Sequence, residues 1–182
     1  MKDVCDDVGV ARVHDDQPTI IQPNGDREWQ VDGQRWHRDH GLPAIEFANG
    51  DRMWYQNGQI HRDGGLPAIE CANGVRYWYR HGQLHRDDDL PAVEWADGSR
   101  LWYQNGQCHR DNGLPAVELV SDIREWRVDG MLHRDNDLPA VEYANGSLEW
   151  YQDDQRHRDN GLPAIIRADG TQEWWVNGQH TA

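Results

Sequence analysis

Lysine is almost missing from this chain. Lys2 is the only one, and the remaining basic side chains are arginines, set against 32 aspartates and glutamates for a net charge of −14. Binding a phosphate backbone or an anionic lipid surface relies on clustered lysine and arginine, so neither nucleic acid nor membrane is the expected partner. Cysteine is scarce as well. Cys5, Cys71 and Cys108 are odd in number, share no spacing and form no CxxC pair, which reads as free thiols in a reducing, cytoplasmic setting. Long apolar runs are absent. The opening MKDVCDDVGV lacks the apolar stretch of a signal peptide, and no segment approaches the length that spans a bilayer. Serine and threonine are few, no nucleophile elbow or phosphate loop is visible, and no segment carries a helical period.

What is present is a period. His-Arg-Asp begins at His37, His61, His85, His109, His133 and His157, always 24 residues apart, and each triplet is followed by Leu-Pro-Ala. A tryptophan keeps step at Trp54, Trp78, Trp102, Trp126, Trp150 and Trp174. Apolar residues make up only 37%, but ten tryptophans and six tyrosines supply wide surfaces to bury. A strict period describes a linear array in which each unit packs on its neighbours, with no large central core. Residues 1–17 are acidic and aperiodic, an N-terminal tail or cap. Residues 18–182 are the array: a degenerate first unit with one extra residue before His37, five full units and a partial last one.

The turn chemistry points to an all-β chain. Asn49-Gly50 and its counterparts lie between a run like LPAIEFA and a run like RMWYQ, and a second site such as Asn57-Gly58 follows each tryptophan. Asn-Gly between such runs is a strong hairpin signal. A two-residue loop at Asn49-Gly50 would set Ile45 opposite Trp54, Glu46 opposite Met53 and Phe47 opposite Arg52. Ile45, Trp54, Phe47 and Arg52 would then share the core face, leaving Glu46, Met53, Ala44 and Tyr55 on the other. The second turn would bring His61 opposite Trp54 and Asp63 opposite Arg52, with Arg76–Asp87, Arg100–Asp111 and Arg124–Asp135 repeating that pair. Arg62 would lie near Glu46 and Met53. Arg52 across Phe47 and Arg100 across Trp95 would give cation–π contacts in some units only.

An odd number of strands per unit would reverse every second copy, so two ladder strands per unit are expected. LPAIEFA and RMWYQ fill those places, with QIHRDGG as a folded connector. Roughly thirteen strands at ~4.8 Å make an elongated, single-layer antiparallel sheet of stacked β-hairpins about 60 Å long.

The succession NGDRMWYQNGQIH, repeated as DGSRLWYQNGQCH, resembles the MORN repeat and its variants over about residues 18–180. That resemblance implies stacked hairpins, frequent self-association, a role as scaffold or binding surface, and no shared catalytic residues. The 24-residue period, the arginine after the histidine and Leu-Pro-Ala in place of glycine-rich sequence depart from the family pattern.

Six copies of one triplet indicate architecture before chemistry. His-Arg-Asp also opens a kinase catalytic loop, but here Leu-Pro follows and there is no glycine-rich phosphate loop. Equivalent histidines should stand two strands, ~10 Å, apart, while zinc holds its nitrogen ligands at ~2 Å. No metal and no cofactor is therefore expected. The tryptophan column, with His61, His85, His109, His133 and His157, is assigned to the structural core. Tyr55, Tyr79, Tyr103, Arg127, Tyr151 and Trp175 form a second column and are the candidate partner face, since Tyr, Trp and Arg are enriched at interface hot spots. The functional expectation is a non-enzymatic scaffold that binds a protein, or itself as a homodimer, through this face or the edge strands. An acidic decoy is a variant of that role. The alternative is ligand or metal binding by the His-Arg-Asp connectors.

Overall fold

Each unit folds into two hairpins, and the units line up as two parallel rows. The computed structural model describes residues 17–33 and 35–181, with only the backbone of Arg35, so the expected tail at 1–17 lies outside the described residues but for Gln17. The first row is a 14-stranded antiparallel sheet whose strand order follows the chain, two strands per unit. The second row consists of seven separate two-stranded hairpins. In the second unit, Ile45–Glu46 and Arg52–Met53 belong to the sheet, while Tyr55–Gln56 and Gln59–Ile60 form the second-row hairpin. The described residues are all β and turn, and no helix is long and apolar enough to cross a membrane.

RMWYQ is therefore not one ladder strand; it divides at its tryptophan. Trp54 donates its backbone N–H to Ala68 O of the next sheet strand at 2.8 Å, and its carbonyl accepts from His61 N at 3.1 Å in the second row. Tryptophan thus occupies the corner where the chain passes from one row to the other. The connector carries a few bridge bonds, Gln59–Ile60 pairing with Tyr55–Gln56.

Two Asn-Gly dipeptides in one unit make different turns. At the second turn Gln56 pairs with Gln59, leaving Asn57 (φ 51°) and Gly58 (φ 80°) as a two-residue type I′ loop. At the first turn Ile45 pairs with Met53 and Glu46 with Arg52, one residue away from the expected register. Ala48-Asn49-Gly50 is a three-residue loop in which only Gly50 has positive φ, at 94°, and Gly50 N donates to Phe47 O at 2.9 Å. This is a type I turn closed by a glycine bulge. The reason lies in the partners: a two-residue loop would set the Glu46 carboxylate opposite Met53, whereas the observed loop sets apolar on apolar and carboxylate on guanidinium.

A one-residue shift exchanges the faces. Ile45 joins Met53 and Tyr55 on one face; Glu46 joins Arg52, Ala44 and Trp54 on the other, which corrects the expected division. Along the second face the ladder alternates in sign, Arg27, Glu46, Arg52, Glu70, Arg76, Glu94 and onward to Glu142, before giving way to Leu148, Ile166 and Gln172. Opposite charges across a strand pair contribute about 0.2–1 kcal/mol each.

The buried positions recur with the period. Ala44, Ala68, Ala92, Ala116, Ala140 and Ala164 are 0% exposed, and the six tryptophans from Trp29 to Trp150 are 5–7% exposed, whereas Trp174, expected in the same core column, is only half-buried in the last unit, where no further unit covers it. Ile45, Val93, Val117, Val141 and Ile165 are buried on the other face. In the degenerate first unit Val31 pairs with Arg35, so the extra residue before His37 lengthens its second turn, as the sequence anticipates.

Candidate functional site

The triplet connectors and the tyrosine column are built on the two rows and have different surroundings. His61 donates from Nε2 to Asp63 Oδ1 at 3.0 Å, and its Nδ1 accepts the backbone N–H of His81 in the next unit at 3.2 Å. A carboxylate can only accept and an amide N–H can only donate, so this geometry calls for the neutral Nε2–H tautomer. The same clasp joins His37 to Asn57, His85 to Asn105, His109 to Asp129 and His157 to Asn177 at 3.1–3.4 Å. At His133 the Nδ1 faces Asp153 Oδ1 at 2.9 Å instead.

The triplet arginine lies flat on the tryptophan. In all six triplets its guanidinium carbon stands 3.5–3.9 Å from the ring centroid, from Arg38 on Trp29 to Arg158 on Trp150. Cation–π contact is therefore regular, not confined to a few units, and it comes from the triplet arginine in place of Arg52 or Arg100. Such a pair contributes roughly 0.5–2 kcal/mol according to its exposure. Arg62 also donates to Glu70 Oε1 at 2.9 Å and Pro67 O at 3.1 Å, so its carboxylate is Glu70 and not Glu46.

The triplet aspartate does not reach the ladder arginine. Asp63 bonds His61 and Gln56, Asp87 bonds His85 and Arg80, and Asp111 bonds His109 and Gln104. The expected pairs of Asp87 with Arg76 and Asp111 with Arg100 are replaced because those arginines sit between ladder glutamates. The Gln56 and Gln104 amides, with the histidine second, hold the Asp63 and Asp111 carboxyls below the usual range; at Asp87 the histidine bond is the leading cause.

After each triplet comes a turn that the sequence reading passed over. Leu42 N donates to Asp39 O, and His40-Gly41 between them both have positive φ; Asp88-Asp89, Asn112-Gly113, Asn136-Asp137 and Asn160-Gly161 repeat this. The pairs His-Gly, Gly-Gly, Asp-Asp and Asn-Gly were a legible signal for it. The corner tryptophan reaches this turn, Trp54 Nε1 donating to Gly41 O at 2.8 Å and Trp102 Nε1 to Asp89 O at 3.0 Å. Where aspartate replaces glycine, it adds a fork: Arg110 Nε and Nη2 donate to Asp89 at 2.8 and 2.9 Å, and Arg158 grips Asp137 likewise. Arg86 faces Gly65 in that position, and its buried Nε has no hydrogen-bond partner.

Tyr55, Tyr79, Tyr103, Arg127, Tyr151 and Trp175 all open a second-row strand and all are half-buried. Burial pushes the Tyr55, Tyr79 and Tyr103 hydroxyls up. Tyr151, which donates to Glu149 Oε2 at 2.8 Å, rises to about 12, from burial first and that carboxylate second. Glu149 is itself buried, bonded by Tyr143 at 3.1 Å and approached by Arg156 at 3.4 Å. Arg127 donates to Glu125 at 2.8 Å, and Trp175 to Glu173 at 3.1 Å. The column is aromatic but for Arg127, and in its last three members each side chain hydrogen-bonds a carboxylate.

Among the described residues no group of three or more His, Cys, Asp or Glu is arranged to hold a metal ion. Cys71 and Cys108 are free, and burial pushes the Cys108 thiol up to about 11, a protonated and weakly nucleophilic state at neutral pH. Neither a protein-family model nor a curated protein matches this sequence.

Proposed function

We propose that the chain is a non-enzymatic, MORN-like repeat scaffold that binds a protein partner or a second copy of itself through the face carrying Tyr55, Tyr79, Tyr103, Arg127, Tyr151 and Trp175. The observation that carries this reading is the half-burial of that column in every unit. A row of large side chains, packed enough to be held in place and open enough to touch a partner, costs little entropy to dock. The triplet residues support the same reading from the other side. Their histidines clasp the next unit and their arginines lie on the buried tryptophans, which is an architectural task.

The test is capture from the native source and sedimentation of the purified chain, comparing it with Tyr79→Ser and Tyr103→Ser. Thermal melts establish that the variants stay folded. Loss of the captured protein, or of self-association, supports the reading; unchanged capture and unchanged assembly would sink this face as the binding surface.

A further inference from the structure

We propose that the connector side of the array is a docking track for an extended, basic polypeptide segment of a partner protein, read at one basic and one apolar side chain per unit. The proposal rests on the scaffold reading for the kind of partner, but it uses the connector side, whose grooves border the tyrosine column at Tyr103 and Arg127. The first observation is a row of leucines. Leu42, Leu66, Leu90, Leu114, Leu138 and Leu162 are 39–50% exposed, although the proline and alanine that follow each are buried. A scattered exposed leucine is ordinary, but the same one in six successive units makes a regularly spaced apolar row.

The second observation is the division of charge. The triplet arginines are tucked onto tryptophan with side chains 12–18% exposed, whereas Asp63, Asp87, Asp111, Asp135 and Asp159 are 64–83% exposed. The connectors therefore hide their positive charge and show their negative charge. Leucine and aspartate of successive units share grooves. One of about 340 Å³ is lined by Asp87, Asp88, Leu90, Trp102, Tyr103 and Asp111, and the next, of about 450 Å³, by Asp111, Leu114, Trp126, Arg127, Asp135 and Leu138.

The third is pitch. Units advance by two strands, roughly 9.5 Å. Three residues of polyproline II chain advance ~9.3 Å, and that helix returns the same side to a surface every third residue. A segment with a basic residue and an apolar residue each recurring every third position would meet aspartate and leucine in step along the track. The net charge of −14 favours its approach.

The experiment is fluorescence anisotropy with a labelled twelve-residue peptide of repeated Arg-Pro-Leu, against a scrambled peptide of the same composition. The proteins are the full chain, a Leu90→Ser/Leu114→Ser/Leu138→Ser variant, an Asp111→Asn/Asp135→Asn variant, and the Tyr79→Ser variant, whose tyrosine lies outside both grooves. The periodic peptide is expected to bind at least tenfold more tightly than the scrambled one. The leucine and aspartate variants should each lose at least tenfold, and the tyrosine variant should bind as the parent does. Single L114S stands in if the triple variant unfolds. Equal binding of the two peptides, no binding, or full affinity in the leucine variants would overturn the track. Because the tyrosine variants are scored separately by capture, failure here leaves the tyrosine face standing.

Discussion

The two rows share a chain and a period but are held differently. In the sheet row each strand has a hydrogen-bonded neighbour on both sides, except at the ends, so pairing runs unbroken from Ile20–Ile21 to Gln172–Glu173. In the second row each hairpin pairs only with itself. It is tied to the hairpin before it by a turn N–H on a strand carbonyl, as Gly106 N on Leu84 O at 2.9 Å, and by the histidine clasp beside it, Asn105 N on His85 Nδ1 at 3.1 Å. Continuity in the first row is a property of the paired ladder; in the second it rests on one backbone bond and one histidine clasp per unit. The period conserves tryptophan, which joins the rows, and histidine, which the second row needs.

Removing the joint is the hardest blow. Trp102→Ala should cost about 3–5 kcal/mol, since it empties a buried site and strips the surface on which Arg110 lies. Denaturant melts followed by far-UV circular dichroism would measure it. A loss below about 1 kcal/mol would mean that the corner does not join the rows.

His109→Ala separates them. It leaves the Asp129 N–H without its acceptor and Asp111 without its histidine, for a cost of roughly 1–2 kcal/mol. Hydrogen exchange should speed up at Asp129 and its hairpin while the Leu101–Val117 sheet pair keeps its protection. Equal deprotection of both would show the rows to be one cooperative unit.

Acid should act in the same direction. The Asp63, Asp87 and Asp111 carboxyls are held below their ordinary value when folded. Their contribution is present above the unfolded carboxyl value of about 3.9 and disappears as pH falls through the lower folded values. The fall in melting temperature that these carboxyls cause should set in below about pH 4. An Asp87→Asn/Asp111→Asn variant should show a shallower fall.

The smallest effect is a gain. Gly65→Asp places a carboxylate where Asp89 and Asp137 already sit, at a position with φ of 70° and nothing within 4 Å of an added Cβ. Aspartate tolerates that conformation at Asp89, φ 54°, and it would give the buried Arg86 Nε an acceptor. A partly exposed fork of this kind is expected to add about 0.5–1 kcal/mol. No gain in the melting midpoint would show that Arg86 is satisfied without it.

Period, strand parity, hairpin positions and the burial of tryptophan were legible in the residues, because each is local chemistry repeated. His61 opposite Trp54 was legible too, since Asn57-Gly58 makes the loop its dipeptide favours. The first loop was misjudged by one residue. Asn-Gly suits both a type I′ turn and a glycine bulge, and nothing within Phe47–Arg52 chooses between them. Asp63 opposite Arg52 fails for a different reason: it extends the second hairpin past Trp54, where the strand breaks. Arg62 on Trp54 was missed because the turn after the triplet, which carries the arginine back over the ring, was read as plain connector.

By itself the order of amino acids determined that this protein is a stack of like β units with two turns in each, since periodic side chains and positive-φ dipeptides act over a few residues. Only the folded array decided which side chains share a face, that the strand breaks at its tryptophan, and which carboxylate each arginine holds. Those choices depend on cross-strand partners and on the next unit along, and a one-residue change in a loop is enough to exchange them all.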